Sequence, residues 1–129
     1  MNNSFGFKKI EMEVIPHGSQ RYDTVGDYFE DQGVIKFRVS DLGDWRYNFS
    51  VLLHEFVEWA LTTHNGVSEK DVMSFDLSVP ESDDPGFEAD CPYQEEHVYA
   101  DCMERLIAPR LGLKYGEVDE SCRRLCDGI

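Results

Sequence analysis

Seven apolar residues, Phe49, Leu52, Leu53, Phe56, Val57, Ala60 and Leu61, recur three and four positions apart. That spacing puts them on one stripe of a helix and commits the middle of the chain to an amphipathic element that needs an apolar layer to lie on. Asp41 or Asp44 is available as the N-cap, and Asn65-Gly66 supplies the stop. The layer comes from upstream. Residues 33–40 hold Val34, Ile35, Phe37 and Val39 in a short β-branched and aromatic run, which reads as a strand. Residues 7–16 alternate well enough for a second strand, closed by Pro16. The stretch between is turn-rich, with a short strand expected around residues 22–25.

Downstream, Ser68 caps a short helix over residues 67–72, and residues 74–92 form a long loop rich in proline, glycine and acids. A second long helix is expected over residues 93–108, where Pro109 stops or kinks it, and residues 116–126 read as a last short helix. The expected fold is therefore α+β, one domain spanning residues 1–129. Short antiparallel N-terminal strands, with an edge strand ahead of the first long helix, pack with a second long helix against it. A chain of 129 residues with 41% hydrophobic side chains suits one such core.

A net charge of −14 repels nucleic acid and anionic membrane and favours cationic partners or metal ions. No signal-peptide run opens the chain and no apolar segment has the length of a membrane span, so a cytoplasmic location is expected. Cys91, Cys102, Cys122 and Cys126 are then expected as reduced thiols. Cys122 and Cys126 lie four apart, on one helix face, without partners at zinc-knuckle spacing.

The chemistry concentrates in Leu52–Leu61, "LLHEFVEWAL". His54 and Glu58 are four apart, on one side of the first long helix at the border of its apolar stripe, which suits two rigid metal ligands. Glu55 points about 100° away around the helix. The string matches the His-Glu-x-x-His of zinc proteases except that Glu58 stands for the second histidine. In those proteins the glutamate in the place of Glu55 binds no metal and takes a proton from the metal-activated water.

Two histidines compete as a third ligand. His64 follows His54 by ten residues, the metzincin spacing, but Leu61 stands where those proteins carry glycine. An unbroken helix puts His64 about 15 Å along the axis from His54. It reads as a helix-end histidine favouring the C-terminal dipole. The other candidate is His97, with Asp101 four residues on, both on the second long helix.

Here the sequence resembles a known group. In gluzincins the second helix carries Glu-x-x-Ala-Asp, and this chain has His97-x-x-Ala100-Asp101. The resemblance implies that Glu58 and His97 have exchanged ligand roles, leaving two imidazoles and one carboxylate. It also implies that Asp101 hydrogen-bonds to a metal-bound histidine from behind, although an ion pair with Arg105 is the plainer alternative. Together with residues 24–40, "DWRY" and residues 84–106, the pattern resembles a family of small zincin-like bacterial and phage proteins over roughly residues 8–115.

Zn²⁺ is the expected metal, and Fe²⁺ in a facial triad is the alternative. Glu104 is expected in a salt bridge. Asp83, Asp84, Glu88 and Asp90 offer oxygens for Ca²⁺ but lack EF-hand spacing, so a solvated loop is expected. The resemblance implies a zincin-like metalloprotein and supplies no substrate; the expected function is a zinc-dependent hydrolase, a small metallopeptidase with Glu55 as general base. Phe37 would then pair with a peptide substrate, and Tyr99 and the loop 81–92 would shape the cleft. The competing class is a non-enzymatic acidic protein whose structural metal holds two helices while its surface binds a basic partner or mimics nucleic acid. A third class, an all-helical Mg²⁺-dependent nucleotide hydrolase, fits poorly with the strands and the two histidines.

Overall fold

The computed structural model describes residues 9–126; Phe7 and Lys8, the first positions of the expected N-terminal strand, lie outside the described residues. Three strands, β1 (Lys9–Ile15), β2 (Gly26–Asp31) and β3 (Val34–Ser40), form one sheet in the order β1-β3-β2. Four α-helices follow among the described residues: α1 (Trp45–Asn65), α2 (Glu69–Ser78), α3 (Gln94–Ile107) and α4 (Glu117–Cys126). The class is α+β, as expected.

The sheet departs from expectation in three ways. The second strand begins at Gly26, beyond residues 22–25. It joins β3 through Gln32 (φ 50°) and Gly33 (φ 81°). Two successive positive φ angles make a tight two-residue turn whose twist suits an antiparallel hairpin. That hairpin occupies one side of β3, and β1 takes the other, parallel to β3, so the sheet is mixed rather than antiparallel. β3 is consequently the central strand and not an edge.

The parallel register sets Glu11 opposite Lys36 and Glu13 opposite Arg38 on the outer face, and Arg38 Nε lies 3.5 Å from Glu13. Opposite charges on neighbouring strands favour that pairing. The inner face of β3 presents Ile35, Phe37 and Val39, all buried. α1 lies across β3 and β2 and packs along α3. It does not reach over β1 to the same extent, and Ile10, Met12 and Val14 stay exposed.

The ends of α1 are set locally. Asp44 Oδ1 accepts from Arg46 N at 2.9 Å, and Gly66 takes φ 78° to close the helix. The helix is unbroken through Leu61 to Asn65, so His64 sits exposed in its last turn. Ser68 Oγ caps α2 by accepting from Asp71 N at 3.1 Å. α2 runs on through Ser78, which shortens the expected loop from its front, and residues Pro85–Phe87 form a 3-10 turn within what remains. No disulfide joins the four cysteines, and among the described residues no helix is long and apolar enough to cross a membrane.

The deepest face of α1 is not its apolar stripe. Phe49 and Phe56 are partly exposed, while Val51, His54, Glu58 and Thr62 are buried. Phe37 is 0% exposed, with its ring edge-on to Phe56 and Trp59 at 5.4 and 5.6 Å. Phe37→Ala should therefore cost about 3–5 kcal/mol of stability. Urea unfolding with an unchanged slope would measure it.

Candidate metal centre between the two long helices

Burial of a histidine and a glutamate on one helix face requires partners, because unpaired polar groups in the interior are costly. His54 (8% exposed) and Glu58 (3%) find them in each other and in His97 of α3. His54 Nε2 lies 3.2 Å from Glu58 Oε2 and 3.0 Å from His97 Nδ1, and His97 Nδ1 lies 2.9 Å from Glu58 Oε2. Three donor atoms from two helices thus form a triangle. Ligands on a tetrahedral zinc at its usual bond lengths sit about 3.3 Å apart. Three lone-pair atoms this close repel one another unless protons or a cation lie among them, so the donor set fits a divalent metal.

Each donor is held from behind. Glu58 Oε1 accepts from Tyr28 Oη at 3.0 Å. His54 Nδ1 faces Glu104 Oε2 at 3.2 Å. His97 Nε2 lies 2.9 Å from Asp84 Oδ1, an ion-pair contact off the hydrogen-bond direction. The Glu104 carboxylate behind His54 orients that imidazole and raises its basicity, as at metal sites generally, while Asp84 places a charge beside His97.

Close approach of backbone completes the frame. A Cβ at Gly26 would overlap the Glu55 carboxyl, and one at Gly86 would overlap the His97 ring. β2 and the 85–87 turn are therefore pressed directly against the site. Phe87 meets the other side of His97 edge-on, with ring centres 4.9 Å apart.

Protonation follows from the crowding. Burial alone would raise the Glu58 carboxyl, but hydrogen bonds from His54 and His97 outweigh it and hold it down to about 2. Burial pulls His97 down, yet Asp84 and Glu58 push it up to about 9. His54 is likewise raised, because Glu104 and Glu58 outweigh its burial. Glu55 is raised well above an ordinary carboxylate, by burial first and by the Glu58 charge second.

The triangle lies in a cleft of about 630 Å³ that Glu55, Asp27, Asp76, Asp84 and Arg123 also line. Asp76 accepts from Tyr22 Oη at 2.8 Å and from Tyr93 Oη. Burial raises its carboxyl to about 6, against those two hydrogen bonds.

Of the residues singled out in the sequence, His54, Glu58 and His97 come together, with Glu55 in the same cleft. Three others differ from expectation. Asp101 lines the cleft, with a carboxylate oxygen within 4.8 Å of a His54 ring nitrogen and of Glu104, but its hydrogen bond is accepted from Arg105 Nε at 2.7 Å, one helical turn on. Glu104, three residues later, has that place instead. Phe37 cannot meet a substrate, because β3 is central and α1 covers it. Tyr99 is 59% exposed on α3, away from the cleft. The acidic loop contributes through Asp84 alone to His97, while Glu88 accepts from Ser82 Oγ at 2.8 Å.

Sequence reasoning missed Tyr28, Gly26 and Gly86. The first two sit on a strand diluted by Asp27, Glu30 and Asp31. No local signal marks Gly86, whose role exists only across the fold.

No protein-family model matches the chain, and neither a curated protein nor a solved structure does. Fold and site define a class on their own: an α+β chain with buried His/Glu groups, from its two longest helices, that can hold a metal ion.

Two outcomes follow. His54→Ala and His97→Ala should each abolish stoichiometric zinc binding, measured by chelator competition, while His64→Ala keeps it. In the same assay Glu104→Gln should weaken binding about 10- to 100-fold, whereas Asp101→Asn leaves it nearly unchanged.

Metal must also displace the proton on His97. Affinity should rise as pH increases from 6.5 to about 9, by about tenfold per unit for each proton displaced. Without metal the sign reverses. The His97 contribution to stability is complete below 6.5 and is lost as pH rises through about 9. That of Glu58 is complete above 4.5 and is lost as pH falls through about 2. The melting temperature of the metal-free protein should peak between those limits, and a maximum at higher pH would contradict the assignment.

Proposed function

We propose that the chain is a zinc-dependent hydrolase, a small metallopeptidase, in which His54, Glu58 and His97 hold the metal and Glu55 is the general base. One observation carries this. Among the described residues the donor triangle has three members, one short of a closed tetrahedral set, and it faces a cleft rather than a sealed interior. A structural zinc site is closed by four protein ligands, whereas a catalytic one keeps a position open. That same count weighs against a purely structural metal beneath an acidic surface.

Zinc held there supplies a Lewis acid and a water of lowered pKa. The remaining work falls to this chain's own groups. Glu55, one residue after a ligand, is packed against Gly26 and shares the cleft. Its carboxylate takes the proton of the attacking water and delivers it to the leaving amine. Burial first and the Glu58 charge second raise the Glu55 carboxyl in the metal-free chain; a dication beside it acts in the opposite sense and favours the basic form.

The substrate class follows from the walls. Asp27, Asp76, Asp83, Asp84, Glu69 and Glu81 line the cleft. Such a field excludes polyanions and favours a peptide carrying positive charge. β2 is a terminal strand and its Gly26–Tyr28 segment lines the cleft, so an extended peptide has a backbone edge to pair with. The substrate-facing strand is thus β2, the role first assigned to β3.

The test is Glu55→Gln in the zinc-loaded protein, assayed with a library of basic peptides. Hydrolysis should fall by about 10²-fold or more with zinc content unchanged. A variant as active as the parent would remove Glu55 from the mechanism, and a parent inactive towards all peptides would remove the peptidase assignment.

A further inference from the structure

A second group of metal-ligating side chains lies outside the candidate centre. His17, Asp23 and Cys126 each offer a donor atom, and those atoms lie within 4.8 Å of one another. His17 comes from the short turn after β1, Asp23 from the segment before β2, and Cys126 from the end of α4. Asp23 and Cys126 line the same cleft as the first centre. No residue is common to the two groups.

His17 is oriented by atoms outside its own cluster. Its Nδ1 lies 2.8 Å from Ser40 Oγ, and Ser40 is 0% exposed. Gln20 Nε2 donates to the same hydroxyl oxygen at 3.1 Å. The ring is thereby fixed with Nε2 turned outward, 2.9 Å from Asp23 Oδ1. The sequence of contacts Ser40–His17–Asp23 has the composition of a hydrolytic triad, but a fully buried hydroxyl cannot meet a substrate. Ser40 acts as a holder of the imidazole. A histidine fixed through one nitrogen and presenting the other to a carboxylate and a thiol is the arrangement of a metal ligand with its supporting hydrogen bond.

We infer that His17, Asp23 and Cys126 form a second, thiolate-containing site for a zinc-type divalent ion at the rim of the cleft, between the end of α4 and the turn after β1, whose three protein donors leave one tetrahedral position to solvent. Thiolate, imidazole and carboxylate are all zinc donors, and together they carry the two negative charges that neutralise a dication. Binding replaces the thiol S–H bond of Cys126 with an S–metal bond and releases that proton to solvent. The site differs in kind from the first, whose donors are nitrogen and oxygen alone. Cobalt(II) distinguishes them, because only a thiolate ligand gives the intense sulfur-to-cobalt charge-transfer absorption.

The experiment is a Co²⁺ titration of the full, reduced, metal-stripped chain. Two equivalents should bind, with the charge-transfer band present. Cys126→Ser should lose the band and one equivalent, and Asp23→Asn should weaken the band's appearance at least tenfold in Co²⁺ concentration. His97→Ala should lose the other equivalent and keep the band, so the two sites fail independently. Cys122→Ser should keep both. A wild-type chain without the band overturns the inference and leaves His17 and Asp23 as a plain ion pair beside a thiol. A band that survives Cys126→Ser overturns it equally, by assigning the thiolate to another cysteine.

Discussion

Everything in this molecule accommodates one crowded place: three polar side chains whose donor atoms lie about 3 Å from one another between α1 and α3. A core of this size would ordinarily bury the apolar stripe of its longest helix. Here the innermost line of α1 runs Val51, His54, Glu58 and Thr62, and the aromatic residues are displaced to its flanks. Such a line is tolerable only because each group is answered. Tyr28 reaches Glu58 from β2, Glu104 reaches His54 from α3, and Asp84 reaches His97 from the loop. Removing one of these partners leaves a buried charge without its counterpart, which costs more than the pair itself contributes.

The same demand explains the glycines beside the site. At Gly26 and Gly86 the backbone takes space that any side chain would need. β2 can press on Glu55, and the 85–87 turn on His97, only because nothing projects there. Preorganisation of this kind, with side chains held on two helices and backbone pressed against the Glu55 carboxyl and the His97 ring, keeps the donor atoms in one geometry.

The long elements were legible from spacing alone. Phe49 to Leu61 mark α1, and Gly66 with one of the two cap candidates, Asp44, marks its ends; His97 enters the donor triangle through the likeness to gluzincins. The likeness to gluzincins pointed to three residues that the fold brings together, but it put the supporting carboxylate at Asp101. On α3 the difference between Asp101 and Glu104 is under one helical turn, and Arg105, one turn further on, donates to Asp101. Spacing cannot weigh that competition. The strands were less legible. β2 carries four residues of strand-poor type among six, so its hairpin is written only in Gln32-Gly33. Val34–Ser40, expected as an edge, is flanked by β1 and β2, so Phe37 reaches no surface.

β1 adds a consequence of another sort. It is an outer strand that pairs on one side only among the described residues, and its Ile10, Met12 and Val14 are exposed. Two such strips from neighbouring copies would fit edge to edge, the usual beginning of fibre growth. What stands in the way is long-range repulsion between molecules of charge −14. That barrier shrinks as dissolved ions shorten the reach of the field to a few ångströms. The tendency of such strips to meet is therefore a matter of the medium as much as of the fold, opposed in dilute buffer and favoured by salt.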